Sequence, residues 1–226
     1  MTEGRGHCQQ MNTSPIVAVA SSADDLEAVS ELLSALPAEC SATFIVVQPL
    51  NSGRERSLAE ALAKRTIRPV MYARDGVVAE PDHVYLIPAN TALTMTGRRI
   101  RVTPDASKLH HPGDILFASL AQECGNSAIG VVLSGGGSDG ALGIRAIRQG
   151  GGTTFAQYPG SARFTSMPIS AIETGCVGFV LRPNEIAREL TRLSRHAASL
   201  AGVALSTLVS MPQRDSAEAM ALPVPC

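Results

Sequence analysis

Three apolar runs divide the chain: IVAVA (16–20), TFIVVQ (43–48) and AIGVVL (128–133). Each is short, rich in β-branched residues and without polar alternation, which predicts strands buried on both faces. Between them the period changes. In DDLEAVSELLSAL (24–36), Leu26, Val29, Leu32, Leu33 and Leu36 fall on one helical face, and RERSLAEALAKR (54–65) predicts a second helix. Asp24 and Asp25 stand where a first helical turn favours negative charge. Shorter strands are predicted at VMYA (70–73), HVYLIP (83–88), TALTMT (91–96) and RIRVT (99–103), the last two joined across Gly97 and Arg98 as a hairpin. DILFASLAQE (114–123) spaces Ile115, Leu116, Ser119 and Leu120 along one side of a helix. AIGVVL runs into SGGGSDG (134–140) and the helix ALGIRAIRQ (141–149), which the glycines at 150–152 stop. TTFAQ (153–157), VGFVL (177–181) and the helix NEIARELTRLSRH (184–196) complete the alternation.

Buried strands alternating with amphipathic helices predict an α/β fold. Its sheet is doubly wound and mostly parallel, with helices on both faces and an appended β-hairpin at 91–103. Residues 15–200 are read as one domain, 1–14 as a flexible N-terminus, and 201–226 as a loose tail. Ligands of such sheets bind at the carboxyl ends of the strands. Three loops therefore hold the candidate chemistry: 21–25, 49–53 and 134–140.

Composition narrows the function. The chain of 226 residues is 45% apolar and 17% charged, which suits one folded core. A net charge of −1, no Trp and few other aromatics give nucleic acid neither a field nor a stacking platform. The five cysteines form no C-x-x-C pair, so neither a disulfide framework nor a zinc site is predicted. MTEGRGHCQQMNTSP lacks the apolar core of a signal peptide, and no run reaches membrane-spanning length. The expected location is the cytoplasm, without membrane insertion, metal or cofactor.

In the loop after the first strand, Ser22 reads either as a helix cap or as a nucleophile. A nucleophilic serine needs a base, normally a histidine oriented by a carboxylate. His7 lies near the N-terminus, His196 late in a surface helix, and His83 at the opposite, amino edge of the sheet. His110 and His111 remain, in a loop before Pro112 that is either solvated or turned toward the crevice. In SGGGSDG, Gly135, Gly136 and Gly137 permit a tight turn, and Asp139 reads as the cap of the helix that follows, worth about 1 kcal/mol. A phosphate cradle is the weaker reading. The loop has no Lys-Ser/Thr, and Asp139 would repel an anion.

IVAVASSADDLEAVSELLSALP, TFIVVQPLNSGRERSLAEAL, DGVVAEPDHVYLIPAN, AIGVVLSGGGSDGALGIRAIRQGGGTTFAQ and SMPISAIETGCVGFVL follow one another. Together, over roughly residues 15–195, they resemble the catalytic domain of the chemotaxis protein-glutamate methylesterases (CheB), in phrasing closest to the form fused to the receptor methyltransferase. The resemblance implies a doubly wound α/β fold and hydrolysis of glutamate methyl esters on chemoreceptors, with glutamine deamidation in some members. It also implies a Ser-His-Asp triad without metal or cofactor. The family serine then falls on Ser22, with Ala23 beside it, and the family aspartate on Asp139. The family histidine follows the glutamine that ends the second strand, and Pro49 stands there. Asp24 and Asp25 replace the usual glycines after the serine, and Gly136 replaces a common methionine. Weak or absent activity is therefore expected. The implied partners are methylated receptor glutamates or receptor cytoplasmic tails, and a methyltransferase or signalling kinase. No receiver domain is expected to control the chain in cis. The alternative is an active serine hydrolase, a methylesterase or deamidase, with His110 or His111, or a water held by Asp139, as substitute base.

Overall fold

The computed structural model describes residues 14–23, 25–48, 55–104 and 111–209. Pro49, Asp24 and His110 thus lie outside the described residues. The apolar runs do form the central strands: β1 (Ile16–Ala20), β2 (Thr43–Val47) and β7 (Ala128–Val132) are buried at every position. With β3 (Val70–Tyr72), β4 (Val84–Leu86), β8 (Thr153–Gln157) and β9 (Phe179–Leu181) they make a seven-stranded sheet in the order β3-β4-β2-β1-β7-β8-β9. Every pairing in it is parallel. The hairpin of β5 (Ala92–Thr96) and β6 (Arg99–Thr103) stands apart as an antiparallel pair.

Helices cover both faces. Val17, Val19, Phe44, Val46, Ile129 and Val131 point to one layer, shared with α1 (Leu26–Ser34), α2 (Glu55–Ala63) and α6 (Pro183–Val209). Ile16, Ala18, Ile45 and Val132 point to the other, where α3 (Pro112–Cys124) and α4 (Ala141–Gln149) pack with α5 (Ser166–Glu173) and the hairpin. This two-sided burial is why the strands read as continuous apolar runs. No described helix is long and apolar enough to cross a membrane.

Two helical features differ from expectation. The alternation read from the sequence skips α5, whose single apolar turn (Met167, Pro168, Ala171) is too short to show a period. Pro168 is tolerated there because first-turn N–H groups need no partner within the helix. Helix α6 runs on to Val209 instead of ending at His196. Ala197, Ala198, Ala201 and Ala204 are strong helix formers and carry it past Gly202.

The chain leaves β1 toward β2 on one side of the sheet and returns to its other side at β7. The carboxyl ends of β1 and β7 are therefore a topological switch point, where doubly wound sheets open a crevice. The loops bearing Ser22 and Asp139 leave from those two ends. His83 lies at the amino end, as expected, with Nδ1 2.7 Å from the Pro81 carbonyl oxygen.

Candidate active site

After β1 the chain makes a tight turn, in which the Asp25 N–H donates to the Ser22 carbonyl at 3.2 Å. The cap of α1 is Asp25, not Ser22: its carboxylate accepts the Glu27 N–H at 3.1 Å, and the residue is 3% exposed. Asp25 thus stabilises a helix start that glycine would leave uncapped. The turn is held from two sides. Ser22 N–H donates to the Ser134 carbonyl at 3.2 Å, and Ser21 Oγ donates to the same oxygen at 3.1 Å. From β2, the buried Gln48 donates Nε2 to the carbonyls of Ser22 (2.7 Å) and Asp25 (3.3 Å). Ala23 sits exposed at the tip.

Gly135 packs against the candidate nucleophile. A Cβ there would lie 2.9 Å from Ser22 Cβ and collide with the Met167 sulfur, so the turn must be glycine for Ser22 and α5 to approach together. Gly136 has open space around its Cα, which leaves room for a larger side chain. Gly137 is exposed next to it.

Asp139 does not cap the helix that follows it. The N-cap of α4 is Gly140, at φ +89°. The Asp139 carboxylate instead accepts the N–H groups of Gly113 and Asp114, each at 3.0 Å, at the first turn of α3. Asp114 returns the contact by accepting the Gly143 N–H in the first turn of α4 at 2.7 Å. Each helix start is thus capped by a carboxylate from the other's side. Burial holds the Asp139 carboxyl above the ordinary range. The two amides oppose that shift, the Asp114 charge adds to it, and His111 opposes it.

The sign of that shift gives a testable pH dependence. A carboxyl with a raised folded pKa contributes stability that is present below its ordinary value and lost as pH rises through the folded value. Thermal unfolding of Asp139→Asn should therefore lose less stability than the parent as pH rises from below 3.8 toward neutrality. Parallel Tm–pH curves for the two proteins would contradict the charge assignment.

His111 is the N-cap of α3, and its side chain is 47% exposed. Its Nδ1 lies 3.9 Å from Asp139 Oδ1 and 3.9 Å from Asp114 Oδ2. These distances exceed hydrogen-bond range, so the ring is near Asp139 but not bonded to it as a triad imidazole is. The ligand atoms of His111, Asp114 and Asp139 lie within 4.8 Å of one another, which invites a metal reading. The chemistry opposes it. Backbone amides already occupy both Asp139 oxygens and one Asp114 oxygen, and the N-termini of α3 and α4 set positive dipole ends against a cation.

Gly113, Asp114 and Met167 carried no signal in the sequence, and Gln48 was visible there only as the end of the second strand. The one local signal was Gln48, a polar residue at the end of an unbroken apolar strand. Its Oε1 is buried without a partner among the described residues.

Comparisons with known proteins bear on the fold and the family. The CheB methylesterase family profile matches residues 17–190. A protein-glutamate methylesterase/protein-glutamine glutaminase of Rhizobium meliloti is 35% identical over 183 residues, covering 80% of this chain and 52% of the relative. Protein-glutamate methylesterase/protein-glutamine glutaminase 3 of Paramagnetospirillum magneticum is 34% identical, covering 79% of this chain and 51% of that protein. An uncharacterized 104.1 kDa protein of Rhodobacter capsulatus is 43% identical over 125 residues, which are 55% of this chain and 13% of that protein. The chain thus spans about half the length of the methylesterase relatives it matches. The crystal structure of the Thermotoga maritima CheB methylesterase catalytic domain superposes with a TM-score of 0.73 at 27% identity, covering 80% of this chain and 98% of the other. On a profile that matches most of its length and on these relatives, the chain belongs to the CheB methylesterase family.

Proposed function

We propose that this chain is a protein-glutamate methylesterase domain with little or no catalysis, which acts in the cytoplasm by binding chemoreceptor tails. The supporting observation is the unfilled base. Pro49 stands at the family histidine position, and the imidazole that comes near Asp139, His111, stops 3.9 Å away. Proline accepts no proton from Ser22. Without one triad member, hydrolysis falls to the residual level of binding and oxyanion stabilisation, about 10³–10⁴ over water. The presence of Asp139 does not argue for an active triad, because its carboxylate caps α3 whatever the serine does. A receptor methyltransferase or signalling kinase of the same pathway is a further partner of this reading.

The test is binding without turnover. A receptor cytoplasmic fragment with glutamine at its methylation positions should bind the chain saturably in calorimetry and be recovered undeamidated. Absence of binding would remove the reading.

A second reading is favoured by the closeness of His111 to Asp139. A shift of about 1 Å would bring Nδ1 into hydrogen-bond range, as catalytic contacts often tighten when substrate binds. The protein would then be an active serine hydrolase with His111 as base. In that case His111→Ala should abolish methanol release from an esterified receptor fragment. Equal rates in parent and variant exclude it. His110, the other substitute base, lies outside the described residues.

A further inference from the structure

The strands β2, β1, β7 and β8 stand side by side in that order. A line of hydrogen bonds crosses their carboxyl ends through the backbone of the candidate nucleophile. Gln48, the residue after β2, donates Nε2 to the Ser22 carbonyl at 2.7 Å. Ser22 N–H donates to the Ser134 carbonyl at 3.2 Å. Ser134 N–H donates to Gln157 Oε1 at 2.8 Å. Gln157, the last residue of β8, donates Nε2 to the Ser161 carbonyl at 3.1 Å.

The line has one direction. Ser22, Ser134 and Gln157 each accept from the residue before and donate to the residue after, so each bond polarises the next. Direction also fixes the two side-chain amides. Gln48 meets two carbonyls, those of Ser22 and Asp25, so its NH2 must face them. Its Oε1 is therefore left without a partner among the described residues. Gln157 meets one donor and one acceptor and satisfies both. Gln48 and Gln157 are 1% and 2% exposed and Ser134 is fully buried, so water does not compete for these bonds.

We propose that Gln48 and Gln157 are positioning residues, the two ends of one cooperative strap that fixes Ser22 against the glycine turn. Ser22 is held through both its N–H and its carbonyl, so the strap sets the direction of its side chain. The direction of the line makes the two ends unequal. Position 48 requires a donor, and position 157 requires an acceptor for the Ser134 N–H. The strap depends on neither turnover nor receptor binding, so it stands or falls apart from the reading above.

The experiment is amide hydrogen exchange of the full chain, resolved by residue with NMR. Gln48→Met should speed exchange of the Ser134 N–H, which is not bonded to Gln48, by about tenfold or more. Gln157→Met should do the same to the Ser22 N–H, which is not bonded to Gln157. The Ile100 N–H, bonded to the Val77 carbonyl beside the hairpin, should keep the parent rate in both, which separates loss of the strap from general loosening. An ionised glutamate accepts but does not donate. Gln157→Glu should therefore hold the Ser22 N–H within about threefold of the parent rate, while Gln48→Glu exchanges as fast as Gln48→Met. Methionine variants that disturb only the N–H groups next to the replaced side chain would overturn the strap, and so would protection kept by Gln48→Glu. If the variants at 48 do not fold, the Ser22 N–H in the two variants at 157 decides the question.

Discussion

Pro49→His is expected to raise methanol release from an esterified receptor fragment by about 10²-fold or more, since a missing triad base typically costs several powers of ten. The expectation depends on the rest of the site being in place, and the turn bearing Ser22 is. It is held by Gln48 from β2 and by Ser134 from β7, and Gly135 leaves Ser22 its space. Of the acids that follow Ser22, Asp25 uses its carboxylate at the α1 start. The histidine would enter at the position directly after Gln48. Adding Ser22→Ala to Pro49→His should return the rate to that of the parent. A gain of less than tenfold would place a second defect in the site, at the acidic flank or the Gly136 turn.

Asp139→Ala should cost about 2–4 kcal/mol of stability, because it leaves the N–H groups of Gly113 and Asp114 without their acceptor. In a chain of this length the Tm should fall by roughly 5–12 °C. His111→Ala should stay within about 0.5 kcal/mol of the parent, since the ring is half-exposed and makes no hydrogen bond to either carboxylate. The pair of measurements separates a helix cap from a catalytic remnant. If Asp139→Ala unfolds at the parent temperature, the capping role is wrong and retention of the aspartate again points to catalysis.

The central strands were legible because burial on both faces leaves an unbroken apolar signature in β1, β2 and β7. The hairpin was legible from its glycine and its two short runs. Helix α5 was not, since one turn of apolar residues carries no period. At the site, Ser22 and Asp139 could be placed at the carboxyl ends of buried strands from the alternation, but the pairing of β1 with β7 that makes those ends neighbours could not. The role of Asp139 could not, because its partners Gly113 and Asp114 lie far upstream on another helix. A local reading assigned the aspartate to the nearest helix start, α4. The same distance hid the partners of Gln48, whose contacts reach back across the sheet to the Ser22 turn. Pro49 illustrates the converse. Its local meaning is a strand end, and only its place beside Ser22 and Asp139 in the family pattern gives it a chemical one.

Methanol release from a methyl-esterified receptor fragment, compared between the parent chain and Ser22→Ala, tests the unfilled base most directly. The expected result is equal rates in the two proteins, at the low residual level that remains without a base. Turnover by the parent that Ser22→Ala abolishes would contradict it.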